Sequence, residues 1–328
     1  MKQKQTVLSG AAFLKRLNSH PYENIHILKS VERELVNLRG YIHKPPKPHA
    51  PAILLVSGGI DSIVAWGWLL HRFGLAVYPL YIQRGTPRSE KEKQSVLFFS
   101  RWFKERFPSS ARDAFIFSTN TTPPELGQWT NQEAYKKYHP SALLRQIEEK
   151  DNPFAPIQFN PLQPMPLLFP VYGLMYAQYL KNRLDLAINT IYTGNLPGDG
   201  TLIPYQTLTS LRLSNLLFIQ ASGNRKLQVS SPFFEKESGT WIEKPDVIKL
   251  GMTMNIPMEK TWSCYLGYRY HCGVCHSCFE RKKQFLKVNF CDPSLYKDQS
   301  GNTVRRTLNM SRTALRNLLQ YMRKKGGI

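Results

Sequence analysis

Three things are scarce in this 328-residue sequence: cysteine, acidic side chains and long apolar runs. Cysteine occurs five times, and four of the five crowd into residues 264–278, which argues against a secreted disulfide framework. No run reaches the roughly 18 apolar residues that a membrane-spanning helix needs. The short apolar stretch from Val7 to Leu14 is interrupted by Ser9 and Gly10, so we expect no signal peptide. The sequence therefore predicts a cytoplasmic protein with no membrane span.

Acidic residues are outnumbered, because 44 lysines and arginines stand against 23 aspartates and glutamates, giving a formal net charge of +21. So strong a basic excess favours a polyanionic partner, such as a nucleotide, a nucleic acid or an acidic protein. The alternative is a solvated basic surface that only aids solubility. Charge alone does not choose between these interpretations, since it carries no specificity.

The N-terminal residues are predicted to be helical, since Val31, Leu35 and Leu38 recur at helical intervals before Gly40. A stiff, basic, proline-containing linker follows at residues 43–49. We predict a helical N-terminal extension with its linker (1–47), a main α/β domain (48–255), a four-cysteine module (256–290) and a basic C-terminal tail (291–328).

Apolar runs alternate with amphipathic segments from residue 52 onward. Strands are predicted at Ala52–Val56, Ala76–Ile82, Ala114–Phe117 and Leu186–Tyr192, and helices at Ile60–Phe73, Glu90–Phe107, Val171–Leu180 and Pro245–Met254. This alternation predicts an α/β fold built on a doubly wound parallel sheet. The proline-rich segment 118–170 is expected to be irregular, either a lid or specificity loop or a structural excursion packed on the sheet. Residues 200–235 show no pattern that predicts an element.

The most informative local motif is the string Leu-Leu-Val-Ser-Gly-Gly-Ile-Asp-Ser at residues 54–62. A buried strand turns through Gly58 and Gly59 into a helix, and glycine lets the backbone approach a phosphate closely. The N–H groups at the start of that helix can then hold an anion. Ser57 and Ser62 can add hydroxyl donors, while Asp61 either orients the loop or meets a magnesium ion. The Gly-Lys-Ser ending of a Walker loop is missing.

The cysteine cluster follows the pattern C-x7-C-x2-C-x2-C, formed by Cys264, Cys272, Cys275 and Cys278. Closely spaced cysteine pairs are typical of zinc sites, where four thiolates complete a closed tetrahedron. We therefore predict a structural zinc ion with no open position for catalysis. His271 and His276 are competing ligands, and buried free cysteines are the alternative interpretation.

The S-G-G-x-D-S string resembles the PP-loop of the ATP pyrophosphatase superfamily, whose fold is of the adenine nucleotide alpha-hydrolase type. Residues 260–267 (Lys-Thr-Trp-Ser-Cys-Tyr-Leu-Gly) and 271–281, which contain the last three cysteines and Arg281, resemble the zinc signature of the 7-cyano-7-deazaguanine synthase (QueC) family. Tyr81-Ile82-Gln83-Arg84 and Thr193-Gly194 occupy the places of two further family motifs. The motifs occur in the family's order over about residues 52–286.

The resemblance implies an ATP-dependent ligase that uses Mg²⁺ and structural zinc. A carboxylate on a 7-deazaguanine attacks the α-phosphate of ATP, pyrophosphate leaves, and an amine converts the acyl adenylate to an amide that a second ATP can dehydrate to a nitrile. The pyrophosphate end is assigned to Ser57, Gly58, Gly59, Asp61 and Ser62, and the AMP portion to Thr193 and Gly194. Asp61 and Ser62 are also assigned catalytic roles. Arg84 and Lys260 are candidate catalytic cations that could equally be surface charges.

The sequence departs from the family on the substrate side. The V-P-G-R-N stretch has its nearest match at residues 165–169, without the arginine or the asparagine, and the D…Y-P-D-C-R segment is not reproduced after residue 194. QueC-like proteins with added segments also occur in anti-phage defence operons, which implies a modified substrate or acceptor. We expect either a macromolecular amine, on a protein N-terminus or a nucleic acid, or a plain small-molecule enzyme using ammonia. A homodimer is a further expectation.

Two other functions stay open at this stage. One is a PP-loop enzyme that modifies a base of tRNA or another nucleic acid, which would explain the charge. Its thiolation version is disfavoured, because only Cys291 stands outside the four-cysteine cluster. The other is a catalytically silent zinc-bearing binding module. The intact phosphate loop argues against this alternative.

Overall fold

The computed structural model describes residues 8–119, 168–201, 204–273, 275–297 and 304–306. The predicted lid or specificity loop at 118–170 lies outside these residues except at its two ends, and so does most of the basic tail. The described part of the chain contains no helix long and apolar enough to cross a membrane.

A five-stranded sheet forms the centre of the molecule. Its strands are β1 (Pro51–Val56), β2 (Ala76–Gln83), β3 (Phe115–Ser118), β4 (Thr190–Tyr192) and β5 (Gln228–Ser230). They lie in the order β3-β2-β1-β4-β5, and each neighbouring pair is parallel. Side chains alternate between the two faces of β1, with Leu54 and Val56 in one core cluster and Ile53 in the other, as the period of two requires. A strand buried on both faces explains the continuous apolar run.

Helices cover both faces of the sheet. On one face lie α3 (Ile60–His71) and α4 (Ser89–Arg106), which pack Trp66, Phe99 and Phe103 against the strands. On the other lie α5 (Leu168–Leu184) and α6 (Leu208–Ser222), which contribute Tyr176 and Phe218. Helices on both faces of a parallel sheet are the arrangement of a doubly wound fold, so the predicted fold class is confirmed.

The structure differs from the sequence-based elements in its second half. Helix α5 begins before and ends after the predicted Val171–Leu180, and strand β4 covers three residues in place of the predicted Leu186–Tyr192. Asp185, with φ of 51°, turns the chain between them, and residues 185–189 belong to no helix or strand. Residues 208–230, for which no element was predicted, form α6 and β5.

The N-terminal residues fold into α1 (Gly10–Leu17) and α2 (Ile25–Arg39). Gly40 ends α2, as predicted, and adopts the left-handed conformation. The extension packs on the main domain, because Phe13 contacts the rings of Phe234 and Trp241. Glu23 accepts hydrogen bonds from backbone N–H groups of residues 208 and 209, and so caps α6 from a distant part of the chain.

A buried ion cluster joins the same parts. The Arg212 guanidinium pairs with both carboxylate oxygens of Glu235 and lies 3.5 Å from Glu32, which also pairs with Lys236. His43 of the predicted linker lies 3.7 Å from Glu235. Arg212 and Glu235 are fully buried, so losing one partner would leave an uncompensated charge and cost about 3–5 kcal/mol. This cluster fixes the extension to β6 (Phe234–Glu235), which pairs with β7 (Thr240–Trp241).

The C-terminal part adds α7 (Lys244–Thr253), α8 (His276–Lys287) and the strand pair β8 (Leu295–Lys297) and β9 (Val304–Arg306). Helix α7 matches the predicted Pro245–Met254 within one residue, while α8 was not predicted. Phe285 of α8 packs into the same core cluster as α3 and α4. The cysteine module is therefore attached to the face of the sheet that carries the phosphate-loop helix.

Candidate functional site

The sheet order reverses between β1 and β4, because the chain runs outward through β2 and β3 and then returns to the other side of β1. In open parallel sheets the crevice at such a reversal is where ligands bind, beyond the carboxyl ends of the strands. The loop after β1 carries Ser57 to Gly59, and the loop after β4 carries Thr193 and Gly194. A Cβ atom on Gly194 would lie 3.1 Å from the backbone nitrogen of Ser62, so the two loops touch.

The phosphate loop is held by its own serines. The Ser57 N–H donates to the Ser62 hydroxyl at 3.0 Å, and the two hydroxyl oxygens are 3.1 Å apart. Gly58 has φ of 75°, and a Cβ there would approach the Glu92 carbonyl oxygen to 2.7 Å, so only glycine fits. Within the described residues, no side-chain hydrogen bond caps α3 at Gly59. The helix start therefore presents backbone N–H groups to an anion.

Asp61 lies in the first turn of α3 and forms an ion pair with Lys244, whose ammonium nitrogen contacts both carboxylate oxygens. The two residues are 183 positions apart in the sequence. Lys244 is the first residue of α7, where a cation opposes the helix dipole. That unfavourable placement is the only sequence signal for Lys244, which the sequence analysis missed.

Asp199 is a second carboxyl group at this end of the sheet, in a short 3₁₀ turn after β4. Its carboxylate accepts a hydrogen bond from the Leu196 N–H at 2.8 Å. Burial, together with the negative charge of Asp61, raises the pKa of Asp199 to about 6. Lys244 opposes this shift, which places Asp199 in the electrostatic field of the Asp61–Lys244 pair.

We expect Asp199→Asn to stabilise the protein at pH 8. The native pKa of Asp199 lies above its ordinary value, so the folded state binds more protons than the unfolded state between about pH 4 and 6. Stability is therefore lost as the pH rises through that window, and asparagine removes the loss while keeping an oxygen for Leu196. The gain in unfolding free energy should be about 1–3 kcal/mol at pH 8 and smaller at pH 5, measured by urea denaturation.

Asp185→Asn is the matched control, because this aspartate is fully exposed and pairs with Lys181. It should give no gain. Equal stability of Asp199→Asn and wild type at pH 8 would show that the pKa of the Asp199 carboxyl is not raised in the folded protein.

Thr193 also belongs to this crevice. Its N–H donates to the Ser230 carbonyl oxygen at 2.9 Å, while its buried hydroxyl has no hydrogen-bond partner within the described residues. A buried hydroxyl of this kind is satisfied by water or by a ligand. Arg84, at the carboxyl end of β2, lies over the ring of Phe169 at 5.1 Å, and Lys260 lies over Phe98 at 5.6 Å. Their predicted catalytic roles stay predictions.

The four predicted metal ligands come together. The sulfur atoms of Cys264, Cys272, Cys275 and Cys278 all lie within 4.8 Å of one another, and the pair Cys272–Cys278 is 3.9 Å apart. A tetrahedron with metal–sulfur bonds of about 2.3 Å has edges of about 3.8 Å, so one metal ion fits among these sulfurs. Burial raises the pKa of Cys264 and Cys278, so binding must displace their protons.

Backbone N–H groups are directed at the sulfurs. Leu266 and Cys272 donate to Cys264 Sγ, at 3.3 and 3.4 Å, and Cys275 donates to Cys272 Sγ at 3.3 Å. Such donors stabilise the negative charge of metal-bound thiolates. The backbone around the cluster is therefore arranged to stabilise metal-bound thiolates.

His271 lies outside the group of close metal-ligating atoms, which within the described residues consists of the four cysteine sulfurs. Its Nε2 accepts a hydrogen bond from the Ser263 N–H at 3.2 Å, and its ring packs on Trp262 with centroids 4.4 Å apart. Burial, and then the charge of Arg281, lowers the pKa of His271 to about 3, so the ring is neutral. The side chain of His276 lies outside the described residues.

The cysteine module supports the phosphate loop directly. The Trp262 N–H donates to the Gly58 carbonyl oxygen at 2.8 Å, and the Ser95 hydroxyl donates to the same oxygen at 2.9 Å. Trp262 lies two residues before the first metal ligand. The buried Arg281 guanidinium fixes this segment, because it donates hydrogen bonds to the Thr261 hydroxyl and to the Asp292 carboxylate, each at 2.7 Å. Metal binding and loop geometry are thus linked within a few residues.

The chain is similar in sequence to proteins of one family. A family model described as queuosine biosynthesis protein QueC matches residues 163–289. The 7-cyano-7-deazaguanine synthase of Thermoplasma volcanium is 27% identical over 248 residues, which cover 75% of this chain and 90% of that protein. The synthase of Methanothrix thermoacetophila is 25% identical over 247 residues, covering 75% and 98%. The predicted resemblance to the QueC family is confirmed.

Two solved structures are also similar. The U34-tRNA thiolase NcsA from Methanococcus maripaludis shares 12% identity, with a TM-score of 0.33 over 80% of this chain and 73% of that chain. A 4-thiouridine synthetase bound to RNA and ATP shares 18% identity, with a TM-score of 0.34 over 73% and 50%.

Proposed function

We propose that the protein is an ATP-dependent ligase that adenylates the carboxylate of a 7-deazaguanine and releases pyrophosphate. The observation that carries this proposal is the phosphate loop at the sheet reversal, where the start of α3 carries no side-chain cap within the described residues. The similarity to curated 7-cyano-7-deazaguanine synthases over three quarters of the chain supports the choice of substrate. We propose that it acts in the cytoplasm, where ATP is available.

The residues of the loop bind the triphosphate and leave the α-phosphate accessible. Backbone N–H groups at the start of α3 hold the β- and γ-phosphates, with Ser57 and Ser62 beside them. The substrate carboxylate oxygen forms a bond to the α-phosphorus, the bond to the bridging oxygen breaks, and pyrophosphate leaves with that electron pair. Thr193 and Gly194 flank the AMP portion. Positioning and charge stabilisation account for most of the acceleration.

Mg²⁺ and zinc have different places in this scheme. Carboxylate oxygens are the donors that Mg²⁺ prefers, and Asp61 and Asp199 offer them beside the loop. Bound there, Mg²⁺ would neutralise charge on the leaving pyrophosphate. The four cysteines suit zinc, since a closed set of four thiolates leaves no position for substrate. Zinc bound there would act through structure, because the N–H of Trp262, two residues before Cys264, donates to the Gly58 carbonyl oxygen.

The second half of the reaction joins the activated carboxylate to an amine. We propose that this amine belongs to a macromolecule, with a protein N-terminus as the first candidate and a nucleic acid as the second, in the setting of anti-phage defence. Support comes from the net charge of +21 and from the departures at residues 165–169 and after 194. A plain synthase that uses ammonia and forms the nitrile is the alternative.

Mass spectrometry with two amine sources separates these outcomes. The protein is incubated with ATP, Mg²⁺ and 7-carboxy-7-deazaguanine, together with either ammonia or lysate from its own host. We expect a macromolecule to gain the mass of the deazaguanine acyl group, and Asp61→Ala enzyme to give no such product. Nitrile formation from ammonia at an ordinary enzymatic rate, with no mass added to protein or nucleic acid, would refute the conjugation step and leave the adenylation step standing.

A further inference from the structure

The sign of the charge at Asp61 is unfavourable for binding a polyphosphate. Asp61 stands in the first turn of α3, immediately beside the N–H groups that are proposed to hold phosphate. A carboxylate at that place repels the ligand unless a cation accompanies it. In the described structure the cation is Lys244, which contacts both of its oxygens.

The location of Lys244 argues that this pair has a role beyond stability. A lysine at the first position of a helix opposes the dipole, and Pro245 and Asp246 beside it are residues that favour a helix start. The side chains of Lys244 and Asp61 are 29% and 30% exposed. Ion pairs this exposed shift an equilibrium by less than about fivefold. The pair can therefore separate when a stronger partner arrives.

The buried pairs of the protein behave differently. Arg212 with Glu235 and Arg281 with Asp292 have side chains that are 4% exposed or less, and each guanidinium makes additional hydrogen bonds. Those pairs are fixed parts of the fold. Among the ion pairs just compared, the one at the phosphate loop alone is accessible to solvent and ligand.

We propose that Lys244 is an exchangeable counter-ion: it neutralises Asp61 in the ligand-free site and transfers to a phosphate oxygen of ATP when Mg²⁺ takes its place at Asp61. This inference rests on the proposed function and names a residue of that same site. Lys244 and Mg²⁺ then compete for one carboxylate, while Lys244 and Mg²⁺ cooperate in holding the polyphosphate. Lys244 then has a negative partner both before and after ATP binds, and Asp61 has a cation beside it in both states.

Because Lys244 competes with Mg²⁺ for Asp61 but helps to hold the polyphosphate, one variant should change the affinities for Mg²⁺ and for pyrophosphate in opposite directions. Lys244→Met keeps the length of the side chain and removes its charge. Without nucleotide, this variant should bind Mg²⁺ about two- to fivefold more tightly than wild type, because no lysine competes. Without Mg²⁺, it should bind pyrophosphate at least about tenfold more weakly, because charge-assisted contacts to a phosphate oxygen are lost.

Isothermal titration calorimetry with Mg²⁺ alone and with pyrophosphate alone measures both constants. Lys249→Met is the matched control, since Lys249 lies on the same helix and pairs with the exposed Asp246. It should leave both constants unchanged. Lys244→Arg should restore pyrophosphate affinity to within about threefold, because the charge returns.

The outcomes separate this inference from the proposed function. A Lys244→Met protein with a lower melting temperature but unchanged affinities for Mg²⁺ and pyrophosphate would overturn the exchange and leave a purely structural pair. Opposite shifts in the two affinities would support the exchange even if the wild-type enzyme failed to activate a deazaguanine carboxylate, because neither titration contains that substrate.

Discussion

Replacing Cys275 by serine is expected to leave the protein insoluble. All four sulfurs lie within 4.8 Å of one another, and Cys275 also donates its N–H to Cys272 Sγ. Structural zinc contributes on the order of 10 kcal/mol to folding in peptide models, which is comparable to the whole stability of a typical domain at about 5–15 kcal/mol. Loss of one ligand should therefore remove most of the net stability. The soluble fraction after expression and the zinc content by elemental analysis measure the effect, and Cys272→Ser should behave alike.

Cys291→Ser is the matched control, since Cys291 is exposed and lies outside the cluster. It should give soluble protein with one zinc ion per chain. A soluble and active Cys275→Ser variant, or wild-type protein without zinc, would contradict the structural role assigned to the metal.

The second large effect concerns the phosphate loop. Ser57→Ala and Asp61→Ala should each lower pyrophosphate release from ATP by about a hundredfold or more, since Ser57 lies beside the phosphates and Asp61 would hold the Mg²⁺ that offsets their charge. Both side chains are at least partly exposed on the turn, so the fold should persist. Steady-state pyrophosphate release measures the rate, and circular dichroism with thermal melting verifies the fold.

Two controls test the specificity of that loss. Ser19→Ala removes an exposed hydroxyl in the N-terminal extension, and Asp113→Ala removes the exposed partner of Lys104. Neither should change the rate. Pyrophosphate release at the wild-type rate in Ser57→Ala or Asp61→Ala would remove these residues from the active site.

The first half of the fold could be predicted from the sequence because its signals are local. The apolar run of β1, the glycine pair and the helix that follows are each decided by neighbouring residues, and the structure has them at 51–71. Helix α6 gave no signal, since apolar and polar residues such as Leu211, Arg212 and Asn215 are all buried within it. Its ends are set by Thr207 and Gly223, but its polar face is satisfied by tertiary contacts.

The candidate site was likewise only partly predictable from the sequence. The cysteine spacing predicts its own cluster, and the two glycine-containing loops follow from the strand order once the sheet is known. Lys244 and Asp199 could not be found this way, because their roles depend on proximity to Asp61 across long stretches of chain. The hydrogen bond from Trp262 to Gly58, which ties the metal module to the loop, is equally invisible in the sequence.

In the proposed reaction a carboxylate oxygen of the substrate attacks the α-phosphate of ATP. This attack is tested most directly with 7-carboxy-7-deazaguanine labelled with oxygen-18 in the carboxyl group, incubated with wild-type protein, ATP, Mg²⁺ and an amine source. When the acyl adenylate breaks down, one labelled oxygen should remain on AMP, so mass spectrometry should find AMP carrying a single oxygen-18 in an amount equal to the pyrophosphate released. Unlabelled AMP, or ADP and phosphate in place of AMP and pyrophosphate, would contradict adenylation of the carboxylate.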